Sequence, residues 1–278
     1  MRTRIFAFGV LTLVGVSLAG CGLFRFERRE AWRDQVEQMC LQQHQVQQTA
    51  YMSLTGKSID GPGACGMQSP FRVSALAEGS VGLKQKLTLA CPIIPTIDGW
   101  LDDVVKPAAL LYFGVPVVDL NAGSYSCRGR NNRSGAKLSE HSFGNALDVM
   151  SFILADGRVI TVKGGWNGNP VERDFLREVF TGACERFNTV LGPGSDRYHS
   201  DHLHLDLARH DPRGVRRFCK PILKFEKKLD PMLVESLKAQ SNQFARQQQT
   251  PAQPGTAYSS MNGPAPENNA DLPYEGDL

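Results

Sequence analysis

The 278-residue chain lacks a strong charge of either sign. Its 31 lysines and arginines face 28 acids, a formal net charge of +3. Nucleic-acid partners call for a denser cationic footprint, so they are not expected. The chain also lacks any C-x-x-C pair, which argues against a thiolate zinc site and a dithiol redox motif. No internal repeat is visible, so a solenoid or propeller is not indicated. The apolar run at the start, Ile5 to Val16, is too short for a comfortable membrane span. Aliphatic residues become scarce from about Gln240, where Gln, Pro, Ser, Asn and Gly dominate. Residues 231–278 are therefore read as a polar, disordered tail that buries too little apolar area to offset its ordering entropy.

What is present begins with a leader. Arg2 and Arg4 precede the apolar run, which ends in Leu18-Ala19-Gly20-Cys21. Residues 1–20 read as a secretory signal peptide with a bacterial lipobox, and Cys21 as the lipidated residue of an envelope lipoprotein. Removing the leader takes away two arginines and no acid, so the charge comes still closer to balance. Gly22 after the cysteine points towards the outer membrane, with the protein facing the periplasm. Six cysteines remain: Cys40, Cys65, Cys91, Cys127, Cys184 and Cys219. An even set in an exported chain predicts up to three disulfides, whose pairing stays open among fifteen possibilities.

Residues 21–60 hold a Gln-rich segment, Glu30 to Tyr51, with a partial helical stripe. It is either a spacer or a clasp, and Cys40 hints at the clasp. A folded domain is expected over 61–230. Phe71–Leu76 and Lys86–Leu89 read as strands, and Ile94–Phe113 as a helix that Pro107 should kink or split. Ala146–Leu154 and Arg158–Val162 read as a hairpin. The run Asn169-Pro170-x-Glu172 opens a helix with an N-cap and a proline at the first turn.

Two stretches concentrate chemistry: Ser139-Glu140-His141-Ser142-Phe143-Gly144-Asn145-Ala146-Leu147-Asp148 and Asp201-His202-Leu203-His204. In a strand, residues two apart share a face. His202, His204 and Asp206 then point one way while Leu203 and Leu205 enter the core. Asp148 sits amid Ala146, Leu147, Val149 and Met150, where an unpaired carboxylate is costly and a metal would remove the cost.

The pattern Ser139-x-His141-x-x-Gly144-x-Ala146-x-Asp148 with the His-Leu-His stretch resembles the signature of the zinc D-Ala-D-Ala metallopeptidase superfamily, which includes lysostaphin-type peptidases and the hedgehog domain. The region from Cys65 to Cys219 is more closely similar to the bacterial extensin-like C-terminal domain family. The resemblance implies that His141, Asp148 and His204 bind Zn²⁺, leaving one position open as in catalytic zinc sites. It implies Asp201 as general base, with His202 as proton donor or transition-state ligand. It also implies that Arg128 stabilises an oxyanion or holds a substrate carboxylate, and that Tyr125 and Ser139 belong to the substrate-binding part.

The expected fold is α+β, a small antiparallel sheet carrying the metal site and flanked by helices, hedgehog or D-Ala-D-Ala peptidase-like. The expected function is a zinc peptidase acting on peptidoglycan stem peptides or cross-links. Its competitor is a catalytically silent zinc module that docks on cell wall or an envelope protein. A third reading makes the tail and the Gln-rich segment the working parts of a structural envelope protein.

Overall fold

Apolar residues run almost unbroken through Ala146–Leu154, as in a strand covered on both faces. In the computed structural model, which describes residues 28–249, this segment is β7 at the middle of a nine-stranded sheet. The order across the sheet is β1 (Met52–Leu54), β4 (Phe71–Leu76), β5 (Val81–Leu89), β6 (Val117–Gly123), β7, β10 (Leu203–Asp206), β9 (Thr189–Leu191) and β11 (Phe218–Lys220). A further strand, β8 (Val159–Thr161), forms the expected hairpin with β7. The β5/β6 and β9/β11 pairs are parallel, and the other pairs antiparallel. A separate two-stranded piece joins β2 (Ile59–Asp60) to β3 (Gly66–Met67). The architecture is α+β as expected. Its sheet is larger than a small antiparallel one because three-residue strands, β1 and β11 among them, widen it at both edges. Strands that short complete too few periods to show in a hydrophobic pattern.

Helices cover the sheet. The run expected as a helix kinked or split by Pro107 is continuous through α2 (Ile93–Trp100), a π-helical stretch Leu101–Val105, and α3 (Lys106–Phe113). Pro107 has no N–H for the carbonyl of Asp103, and the wider turn ahead of it accommodates that loss without breaking the run. After the short α4 (Val162–Gly165) comes α5 (Pro170–Cys184), capped as predicted by Asn169, whose Oδ1 accepts the Glu172 N–H at 3.0 Å. Phe175, Leu176, Val179, Phe180 and Ala183 of α5 are buried. Trp100 ties α2 to α5: its indole N–H donates to the Val179 carbonyl at 3.0 Å. Trp166 packs at right angles on Phe180, a core indole rather than a cleft residue.

One segment settles an open expectation, and another corrects one. The Gln-rich segment is helical only over α1 (Ala31–Gln42), and it is a clasp: Cys40 is joined to Cys91. The other disulfides are Cys65–Cys127 and Cys184–Cys219. Residues 231–249, expected to be disordered, form a final helix, α6 (Pro231–Gln249), packed on α3 and the π-helical stretch. Composition hid its start signal: Asp230 accepts the Leu233 N–H at 2.9 Å, and Pro231 opens the first turn. The expected leader with Cys21, and the residues from 250 on, lie outside the described residues. Among the described residues no helix is long and apolar enough to cross a membrane.

Candidate metal centre

Register builds the centre. Asp148 on β7 is directly opposite His204 on β10, and side chains opposite one another in an antiparallel pair share a face. The same register turns Leu203 and Leu205 into the core, both fully buried. His141 arrives from a 3₁₀ turn, Glu140–Phe143, that precedes β7 and ends at Gly144. Gly144 has φ +62°, and a Cβ there would stand 2.9 Å from the backbone nitrogen of Ala90 and closer still to Met67. Glycine is therefore needed for the turn to seat against the end of β5, where its carbonyl accepts the N–H of Ala90, the residue after the strand, at 2.9 Å.

His141, Asp148 and His204 converge as a group that could hold a metal ion. His141 Nε2 is 3.0 Å from Asp148 Oδ2 and 3.1 Å from His204 Nδ1. His204 Nδ1 is 2.8 Å from Asp148 Oδ1. The outer nitrogens are committed elsewhere. His141 Nδ1 faces the Ser124 carbonyl at 2.7 Å, and His204 Nε2 faces Asp206 Oδ2 at 3.0 Å. A carbonyl and a carboxylate can only accept, so both outer nitrogens carry hydrogen. In the neutral rings the two inner nitrogens then present lone pairs to each other and to a carboxylate. Such a cluster of acceptors is repulsive unless a cation lies among them. Donor atoms about 3.3 Å apart are what a tetrahedral ion with 2.0–2.1 Å bonds requires, so the residues fit a metal.

Without a metal, a proton plays that part. Burial disfavours a charged His204, but its bonds to Asp148 and Asp206 override burial and raise its pKa to about 10. Burial would likewise raise the Asp148 carboxyl, yet the two imidazoles hold it well below the usual carboxylate range.

The metal group lies in a cleft of about 490 Å³, and Arg128, Ser139, His199 and His202 also line it. Arg128 reaches to 3.7 Å from Asp148 Oδ2. Its segment is fixed by the Cys65–Cys127 disulfide and by the buried Ser142, whose Oγ accepts the Arg128 N–H at 3.0 Å. His202 Nε2 is 3.6 Å from Asp148 Oδ1, while its Nδ1 is 2.9 Å from Asp201 Oδ1. Asp201 itself is largely exposed and does not line the cleft. Tyr125 does not line it either; burial pushes its phenol up.

Three participants had no role in the sequence reading. Asp206 orients His204. Thr189 bonds both Asp206 and His210, the latter at 2.9 Å. His199, buried and bonded through Nδ1 to Asp196 at 2.8 Å, sets its ring tilted against two others, 5.2 Å from His202 and 5.6 Å from His204. Burial lowers the His199 pKa against the pull of Asp196, which keeps it a neutral donor to that carboxylate. The spacing His199-x-x-His202-x-His204 was a signal for it, but the turn that brings it back over the strand is tertiary.

No curated protein matches the chain, and no solved structure does. The model of the extensin-like protein C-terminus family matches residues 38–220, which spans the sheet, all three disulfides and every residue of the metal group; the chain belongs to that family.

Proposed function

We propose that the protein is a zinc-dependent peptidase acting on peptidoglycan stem peptides or cross-links. The observation that carries this reading is the donor set at the floor of an open cleft. Two imidazole nitrogens and one carboxylate leave a coordination position free, as in catalytic rather than structural zinc sites. Zinc bound there would supply a Lewis acid and lower the pKa of a water towards neutrality. The chain's own groups do the rest. His202 keeps hydrogen on Nδ1 through Asp201, so Nε2 beside Asp148 is the atom that takes a proton from the nucleophile. Asp201, expected as the base, is in this reading the positioning carboxylate behind His202. Arg128 offers its guanidinium at the same end of the cleft, where a developing oxyanion would be stabilised. Ser139 lines the wall as a substrate contact.

The substrate class rests on the leader as well as the cleft. A lipid on Cys21 would hold the domain in the cell envelope, on the outer membrane and facing the periplasm, next to that polymer. The test is digestion of purified sacculi by the zinc-loaded full-length protein beside its His141→Ala variant. Release of muropeptides by the first and not the second is expected. No release from any sacculus type would overturn the peptidase reading in favour of a wall-docking zinc module. His202→Ala should bind zinc normally and cleave about 10²–10⁴-fold more slowly.

A further inference from the structure

The N-terminal helix, mostly outside the matched family region, reaches into the metal loop. Arg33 on α1 is buried, and its guanidinium forks onto Glu140: one nitrogen lies 2.7 Å from Oε2 and another 2.8 Å from Oε1. Glu140 is buried too, and it immediately precedes the ligand His141. The guanidinium lies over the Phe143 ring at 3.7 Å, so Arg33 grips both ends of the 3₁₀ turn that carries His141. The second oxygen of the carboxylate's grip is shared: Asn145 Nδ2 donates to Glu140 Oε2 at 2.7 Å, and the Asn145 carbonyl accepts the Leu207 N–H, just beyond β10, at 3.3 Å. One connected network thus runs from α1 through Glu140 to the strand that bears His204. The Cys40–Cys91 disulfide anchors the helix behind it.

We propose that Arg33 is a positioning residue for the metal centre: its fork on Glu140 sets the place of His141 relative to Asp148 and His204. A planar fork fixes the carboxylate in direction as well as distance, which the point charge of a lysine does not. The segment that the sequence left open between spacer and clasp is therefore part of the site. This inference rests on the metal reading and not on the peptidase reading.

The test measures Zn²⁺ affinity of the full-length chain by competition with a chromophoric chelator, for the unaltered protein, Arg33→Met and Arg33→Lys. The visible spectrum of the Co²⁺-loaded forms is recorded alongside. Groups that orient metal ligands typically contribute about 10–100-fold to affinity. Both variants are expected to lose zinc affinity in that range and to shift the Co²⁺ bands, with melting of the metal-free Arg33→Lys protein showing that it is folded. Should Arg33→Met fail to fold, Arg33→Lys decides. Zinc affinity within threefold of the unaltered chain in Arg33→Lys, with an unchanged Co²⁺ spectrum, would overturn the proposal, whatever the melting temperature does. An unaltered chain that binds no zinc would instead remove the metal reading on which the proposal stands. Normal zinc binding without sacculus cleavage would leave the proposal intact and count only against the peptidase.

Discussion

His204 shows how much one side chain decides. Its two nitrogens face two carboxylates, Asp148 at 2.8 Å and Asp206 at 3.0 Å. That environment raises its pKa to about 10, so in the metal-free protein it is an imidazolium at neutral pH. A metal entering at Nδ1 must displace that proton. Protons compete below the raised pKa, so zinc affinity should rise about tenfold per pH unit between pH 6 and 9 and level off near 10. Titration calorimetry in buffers of different ionisation enthalpy should show about one proton released per zinc at pH 7; none released would contradict the displacement. Asp206 holds hydrogen on the outer nitrogen, so Asp206→Ala should weaken zinc about 10–100-fold in the same competition assay. The strand parity of His202, His204 and Asp206 was legible from their spacing. The role of Asp206 was not, because a carboxylate on the imidazole face is equally consistent with a ligand, an orienting group or a solvated edge. Asp201 and His202 divided in the same way. Alternation put His202 beside His204, and only the observed path of the chain turned Asp201 outward.

At the scale of elements, the turn that carries His141 depends on a glycine. Gly144→Ala would force a β-carbon into a left-handed conformation and against the Ala90 nitrogen at 2.9 Å. It should destabilise the protein by about 2–3 kcal/mol, read as a shift of the urea midpoint at constant slope. Long, strongly patterned elements were readable. The apolar face of α5 and its Asn169 cap, and the β7/β8 hairpin, all follow from periodicity and turn chemistry. Weakly patterned ones were not. The Asp230 cap of α6 was present in the sequence, but its polar body masked it, and packing on α3 supplies what composition lacks. The π-helical stretch before Pro107 was half legible: the proline announced a disturbance, and the burial of residues on either side decided that the run would continue rather than bend away.

Over the whole molecule, three disulfides join segments far apart in the chain. The Cys40–Cys91 bridge closes a loop of 51 residues around the entry to α2. Replacing both cysteines by serine should cost about 2–5 kcal/mol, measured by urea unfolding, with zinc affinity falling as α1 loosens. The proposed lipid anchor belongs to this scale too. A Cys21→Ser protein should leave the membrane fraction, and full retention there would contradict lipidation. Sequence alone determined the class of the fold, the metal-binding types of residue and their strand parity, because hydrophobic period and residue chemistry are local properties. Only the tertiary structure decided the disulfide pairing, the β7/β10 register that sets Asp148 against His204, and the burial of Arg33 against Glu140. Those depend on contacts between residues tens of positions apart, in the last case 107, and no local pattern encodes which distant partner a residue will meet.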